Sequence, residues 1–349
     1  MTQDPAQYED ITLLEEKLKK AVLPADLKEK ASIQIEHLLR LAKSQGYSQE
    51  YEHVARYIEW IVSLPWNLKT SDNLSLESAR KILDSNHHGL ENIKERILEL
   101  ISIYQLNVNS GKKPKAPSIF LLGLVGTGKT TMAYSIAQAL GRRFGRIPMG
   151  GLGDALQLRG RSRSYPDAEP GQIVKTLRRV QSRNPVILLD EVDRVTEESR
   201  ADIMGVLVEL LDPEQNSAFL DHYIDYPFDL SDVLFISTAN NTANISTAVI
   251  DRVEILEMPS YSDEQKIIIG KNYVLPKTIQ SCGLAPADIV VDESVWAQVV
   301  RPLGFDAGMR TLERTINAIC RKVAKLKVEG KVTQVKITSE NLKEFVSGW

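Results

Sequence analysis

The chain has 349 residues, 43% hydrophobic and 26% charged, with 43 basic against 46 acidic side chains. That is length enough for two or three globular domains, and no apolar run approaches the ~18 residues a membrane span needs. The formal net charge of −3 gives no overall bias toward nucleic acid, and the two well-separated cysteines, Cys282 and Cys320, read as reduced thiols of a cytoplasmic protein.

Residues 9 to about 62 carry helical periodicity: Leu13, Leu14, Leu18 and Val22, then Ile33, Ile35, Leu38, Leu39 and Leu41, then Val54, Tyr57, Ile58 and Ile61. Pro65-Trp66 closes this block, because a residue before proline is pushed out of the helical region. From about 75 to 257, helical stretches alternate with short apolar runs at Ile119–Leu122, Phe144–Ile147, Val186–Leu189, Val233–Ile236 and Val253–Leu256. That alternation predicts a parallel sheet covered by helices on both faces, an α/β class fold. The remainder, from about 262, is mostly helical, with a long helix expected over Arg310–Val328 and a small β element at Val335–Ile337. The expected division is 1–74, 75–258 and 259–349.

The first chemical signal is Gly123-Leu124-Val125-Gly126-Thr127-Gly128-Lys129-Thr130. It fits the phosphate-binding pattern G-x-x-x-x-G-K-T, placed as required between an apolar run and a helical run (Met132, Ala133, Ile136, Ala137, Leu140). Glycines let successive backbone N–H groups turn toward phosphate oxygens, and the helix N-terminus adds its positive dipole. Lys129 is expected to reach the β- and γ-phosphates, and the Thr130 hydroxyl to ligate Mg²⁺. The pattern predicts binding of a nucleoside triphosphate. Motifs for zinc, metalloprotease or serine-hydrolase chemistry do not occur.

The second signal is Val186-Ile-Leu-Leu-Asp190-Glu191. A buried strand there delivers two carboxylates to the sheet's C-terminal edge, beside the phosphate loop. Asp190 is expected to serve the Mg²⁺ shell, and Glu191 to polarise the attacking water as general base, which favours ATP hydrolysis over binding alone. The third is Asn240, which ends the run Phe235-Ile-Ser-Thr-Ala-Asn240. Its amide could orient water between loop and base; an asparagine there also suits a turn.

At this point the chain resembles a known family, the ATPase part of the Lon proteases within the ring-forming AAA+ ATPases. The likeness runs through Tyr57-Ile58-Glu59-Trp60, Leu64-Pro65-Trp66, His87-His88-Gly89-Leu90, Leu211-Asp212-Pro213-Glu214-Gln215-Asn216, Asp221-His222-Tyr223 and Ile319-Cys320-Arg321-Lys322-Val323-Ala324. The resemblance implies an AAA+ phosphate-loop domain, a helical segment before it and a small helical lid after it. It also implies a hexameric ring that hydrolyses ATP with Mg²⁺ to pull on unfolded or damaged polypeptide. By resemblance, Asn240 matches the first nucleotide sensor, Arg252 an arginine finger reaching a neighbouring subunit's nucleotide, and Arg310 the second sensor on the lid. His88 and Gly89 match the adenine contact, although the family commonly has tyrosine at His88. Tyr165 and Pro166 match the pore loop that grips polypeptide.

Several positions depart from the family's pattern. Leu124-Val125 stand where two prolines are usual, Pro166 replaces an aliphatic residue, and Ser199 a bulky apolar one. The last two changes weaken apolar grip. The resemblance sets the Ser-Lys protease domain beyond Trp349, on a following segment or a partner, so peptide hydrolysis is not expected of these residues. Two other readings fit the residues: a stand-alone AAA+ remodelling ATPase acting on protein or on DNA, the latter encouraged by Arg159, Arg161, Arg163 and a helix over Lys175–Arg183, and a nucleotide-dependent assembly scaffold.

Overall fold

The computed structural model describes residues 5–45, 49–112, 117–301 and 308–346. Three helices open the chain, Pro5–Lys20, Ala25–Gln45 and Gln49–Ser63. The third stops just before Leu64-Pro65, where proline forbids the helical conformation of its predecessor. Trp66 then folds back, donating its indole N–H to the carbonyl of Ile61 at 2.7 Å. Helices Leu76–Asn86 and Glu91–Asn109 follow, the first capped by Ser75, whose hydroxyl accepts from the Ser78 amide.

Among the described residues nine strands follow: β1 (Ser118–Leu122), β2 (Phe144–Pro148), β3 (Val186–Asp190), β4 (Phe219–Asp221), β5 (Tyr226–Phe228), β6 (Leu234–Ala239), β7 (Val253–Glu257), β8 (Ile289–Val291) and β9 (Val335–Ile337). Five of them form the parallel sheet, in the order β2-β3-β6-β1-β7. The expected runs match these five strands, except that Val233 lies just outside β6. β4 and β5 form a short antiparallel pair that periodicity did not announce.

The sheet separates two apolar layers, and the two-residue alternation of each strand decides which side a residue joins. Phe120, Ile187, Leu189 and Phe235 pack on one side, in a core continuous with Leu14, Ile35, Ile58 and Ile61 of the opening helices. Ile119, Leu121, Leu188 and Ile236 face the other side, with Leu83, Ile97 and Ile101 and with Met132 and Ile136 of helix Lys129–Ala139. The opening helices therefore share a core with the sheet. Trp66 is the joint, its ring centroid 5.6 Å from that of Tyr226 and 4.9 Å from that of Phe228. Two guanidinium groups reinforce it: Arg163 lies 3.9 Å above the Tyr57 ring and Arg178 4.1 Å above Trp60.

The last segment has its own core, centred on Trp296, Leu312, Ile316, Ile319, Cys320 and Val323. Five of these recur at helical spacing along Arg310–Val328, the long helix expected from the sequence. β8 and β9 pair in parallel beneath it.

Candidate functional site

Between β1 and helix Lys129–Ala139 lies the glycine-rich loop. Gly126 and Gly128 have φ of +83° and +92°, a region that disfavours side chains, so both positions call for glycine. The turn leaves Lys129 as the first helical residue, with its side chain folded back over the loop. Its ammonium donates to the carbonyls of Gly123 at 2.5 Å and Leu124 at 3.0 Å, and to Oδ1 of Asn240 at 3.1 Å. Burial holds the Lys129 pKa below its usual value, opposed by the carboxylates of Asp193 and Asp190.

β3 and β6 lie side by side and deliver their C-terminal residues to the same edge. Thr238, wholly buried, links the two. Its hydroxyl donates to Oδ1 of Asp190 at 2.6 Å and accepts the Glu191 amide at 2.9 Å. Glu191 sits at φ 61°, ψ 51°, an uncommon left-handed conformation for a residue with a side chain. The hydrogen bond from its backbone N–H to the Thr238 hydroxyl helps hold that geometry. The Glu191 carboxylate meets Arg194 at 3.3 Å. The Asn240 amide donates to Asp193 at 3.0 Å, while the other Asp193 oxygen is buried without a hydrogen-bond partner.

The lid reaches this edge directly. The Met309 amide donates to the Gly126 carbonyl at 2.9 Å, and the Tyr261 hydroxyl to the Thr127 carbonyl at 3.1 Å. Burial pushes the Tyr261 phenol up to about 12, so it stays a donor at any physiological pH. A Cβ on Gly126 would lie 3.2 Å from both Gly308 Cα and the Met309 amide nitrogen, so the glycine also permits the lid's close approach.

The result is a cleft of about 690 Å³ between sheet edge and lid. His88, Val125, Gly126, Gly128, Lys129, Thr130, Asp190, Glu191, Asn240 and Arg310 line it together. Gly123 and Leu124 line the neighbouring hollow, Thr127 is buried in the loop, and Gly89 sits beside the cleft at φ +66°. Arg252 is elsewhere, its guanidinium on Asp212 at 3.1 Å and on the Ala248 carbonyl at 2.9 Å. Tyr165 is 57% exposed on a surface loop, with Pro166 also exposed beside it.

Four members of the basic cluster pair with carboxylates. Arg159 pairs with Glu209, Arg161 with Asp167, Lys175 with Glu169, and Arg183 with Asp229. The helix expected over Lys175–Arg183 is Gln172–Val180, because Gln181 turns left-handed and ends it.

The sequence reading passed over Thr238, Asp193, Arg146 and Tyr261. A signal existed for Thr238: two polar residues, Ser237 and Thr238, inside an otherwise apolar buried strand call for a partner. Arg146 gave none, since a charge on an edge strand reads as solvated.

The parallel sheet, the glycine-shaped loop and the carboxylate pair at its edge define an AAA+ ATPase. The sequence pattern of the ATPase family associated with various cellular activities (AAA) matches residues 119–260, and that of the Lon protease AAA+ ATPase lid domain matches residues 280–346. The chain is 44% identical over 331 residues to a Lon protease of Syntrophomonas wolfei, covering 95% of this chain and 40% of that protein. With Lon protease 1 of Bacillus subtilis the figures are 41% over 337 residues, 97% and 43%. With a Lon protease of Clostridioides difficile they are 42% over 332 residues, 95% and 41%. The chain belongs to the Lon protease family, as its ATP-hydrolysing AAA+ module, and spans about two fifths of the length of these relatives. No described helix is long and apolar enough to cross a membrane.

Proposed function

We propose that the cleft binds Mg²⁺–ATP, with the phosphates on the loop Gly123–Thr130 and the base near His88 and Gly89. The observation that carries this reading is the convergence of Lys129, Thr130, Asp190, Glu191 and Asn240 with Arg310 of the lid on one cleft. Lys129 would exchange its carbonyl contacts for β- and γ-phosphate oxygens while keeping Asn240 beside them. Thr130 Oγ1 and Asp190 Oδ1, 3.4 Å apart, are hard oxygen donors suited to Mg²⁺. Among the described residues no cluster of three or more His, Cys, Asp or Glu competes with them as a metal site. Bound there, Mg²⁺ would neutralise phosphate charge as the terminal bond breaks. Glu191 acts as general base toward water, Asn240 positions that water, and Arg310 brings positive charge with the lid. Arg252, outside the cleft, serves a neighbouring subunit's nucleotide in a hexameric ring.

The work done is traction on unfolded or damaged polypeptide, gripped by Tyr165 and Pro166, for proteolysis by a Ser-Lys domain outside residues 1–349. The chain divides as 1–74, 75–258 and 259–349, with the first two units sharing one core, in a cytoplasmic setting. The carboxylate pairing of four of the cluster's basic residues, with Arg163 and Arg178 stacked on Tyr57 and Trp60, favours polypeptide over DNA, because side chains already engaged within the fold are less free to meet phosphates. The test is stimulation of ATP turnover. An unfolded polypeptide should raise it and duplex DNA should not; stimulation by DNA alone gives the motor to nucleic acid, and by neither gives the scaffold.

A further inference from the structure

Arg146 has no part in the mechanism above, yet it makes the closest ionic contact at the sheet edge. It sits on β2, the outer strand of the sheet, two residues before Pro148, which stands opposite Asp190. Its side chain runs forward along the strand. Nε donates to Asp190 Oδ2 at 2.8 Å, and a terminal guanidinium nitrogen lies 2.6 Å from the same oxygen. Oδ1 accepts from Thr238 at 2.6 Å and from Thr130 at 3.4 Å. A carboxylate offers about four acceptor positions. Protein donors occupy all four here, and only the Thr130 contact is long enough to be weak.

The two partners differ in freedom. The Asp190 side chain is 6% exposed and fixed by Thr238, whereas that of Arg146 is 54% exposed on an edge strand with room to swing. The exposed member of the pair is thus a cation, held on the carboxylate that the nucleotide's metal would use. We propose that Arg146 is a resident rival of the divalent cation at Asp190, and that it sets the Mg²⁺ concentration at which Mg²⁺–nucleotide binds. Whether the guanidinium departs or stays, its charge lowers the pull of Asp190 on a second cation. The inference rests on the Mg²⁺ reading above.

The experiment is a Mg²⁺ titration of a fluorescent ADP analogue on the full chain, comparing wild type, Arg146→Gln and Arg146→Lys, with circular dichroism as a check on folding. Arg146→Gln should lower the Mg²⁺ midpoint by about tenfold, the effect of removing one nearby charge in a partly screened site. Arg146→Lys keeps the charge but loses the fork, so its midpoint should fall less, and it carries the test if the glutamine variant does not fold. An unchanged or raised midpoint in a folded variant overturns the proposal, leaving Arg146 as a residue that positions Asp190. A wild type whose nucleotide binding ignores Mg²⁺ overturns the metal reading itself, a separate outcome visible before any variant is made.

Discussion

The ammonium of Lys129 lies 3.1 Å from Oδ1 of Asn240, joining the phosphate loop to the end of β6. One cation therefore bridges two segments far apart in sequence, and its two carbonyl bonds to Gly123 and Leu124 hold the loop closed around it. Lys129→Ala should abolish tight nucleotide binding, since the loop loses its only side-chain cation. Glu191→Gln should keep binding while slowing turnover by roughly 10²–10⁴-fold, the contribution of a general base. Nucleotide affinity and turnover of both variants decide the matter. Normal turnover in Glu191→Gln would sink the assignment of the base.

Arg252 bonds to Asp212 and the Ala248 carbonyl, outside the cleft lining. If it completes a neighbour's site, turnover per subunit should climb with protein concentration as rings assemble. Arg252→Ala should retain nucleotide binding and lose turnover by on the order of 10³-fold, the scale of arginine fingers. Turnover that stays flat from nanomolar to tens of micromolar, without rings by light scattering, would point to action within one subunit.

Two buried groups give opposite pH dependences. Asp221, 1% exposed, accepts amides of Gly171 at 2.7 Å, Tyr223 at 2.9 Å and Ile224 at 3.0 Å. Burial outweighs these bonds and raises its pKa from 3.8 to about 6. Its stabilising contribution is full below pH 3.8 and is lost as pH rises through about 6. His87, sharing a 2.9 Å contact with Ser135, is lowered by burial from 6.5 to about 4. Its contribution is present above pH 6.5 and is lost as pH falls toward 4. Each amounts to about 3 kcal/mol at full extent, and between pH 4 and 6 they offset one another. Melting temperature against pH should show His87→Gln becoming more stable on acidification from pH ~7 to ~5, and Asp221→Asn losing more than wild type. Parallel curves for the two variants would refute both assignments.

What the sequence disclosed, and what it withheld, follows from range. The five sheet strands, the long helix Arg310–Val328 and the helix break before Pro65 are set by local periodicity and by proline sterics. The phosphate loop and the Asp190-Glu191 pair are legible because their chemistry demands fixed residue types at fixed spacing. The Met309–Gly126 bond and the Arg146–Asp190 pair join residues distant in the chain, with nothing local to mark them. The β4–β5 pair is three residues a strand, too short for alternation to register. Its place is fixed by packing, through Phe228 against Trp66.

The exposed ring of Tyr165 is followed by Pro166 and then by Asp167, itself paired with Arg161. If this loop grips polypeptide, proline lacks the aliphatic reach of the usual residue, a loss of up to about 1.5–3 kcal/mol of burial per engaged loop. Ser199 instead spends its hydroxyl on the Gly153 carbonyl. Pro166→Ile, alone or with Ser199→Trp, should speed the unfolding of a stable reporter captured by a separate protease. A wild type that already matches the double variant would make these departures inconsequential.

The Arg163 guanidinium rests on Tyr57, two residues before the exposed Tyr165 ring. Tyr57 belongs to helix Gln49–Ser63, so a stacked pair ties the loop that carries Tyr165 to the opening helices. That helix is anchored in turn through Ile58 and Ile61, in the core it shares with the sheet. The opening helices thus brace the base of this exposed loop from the sheet's own core.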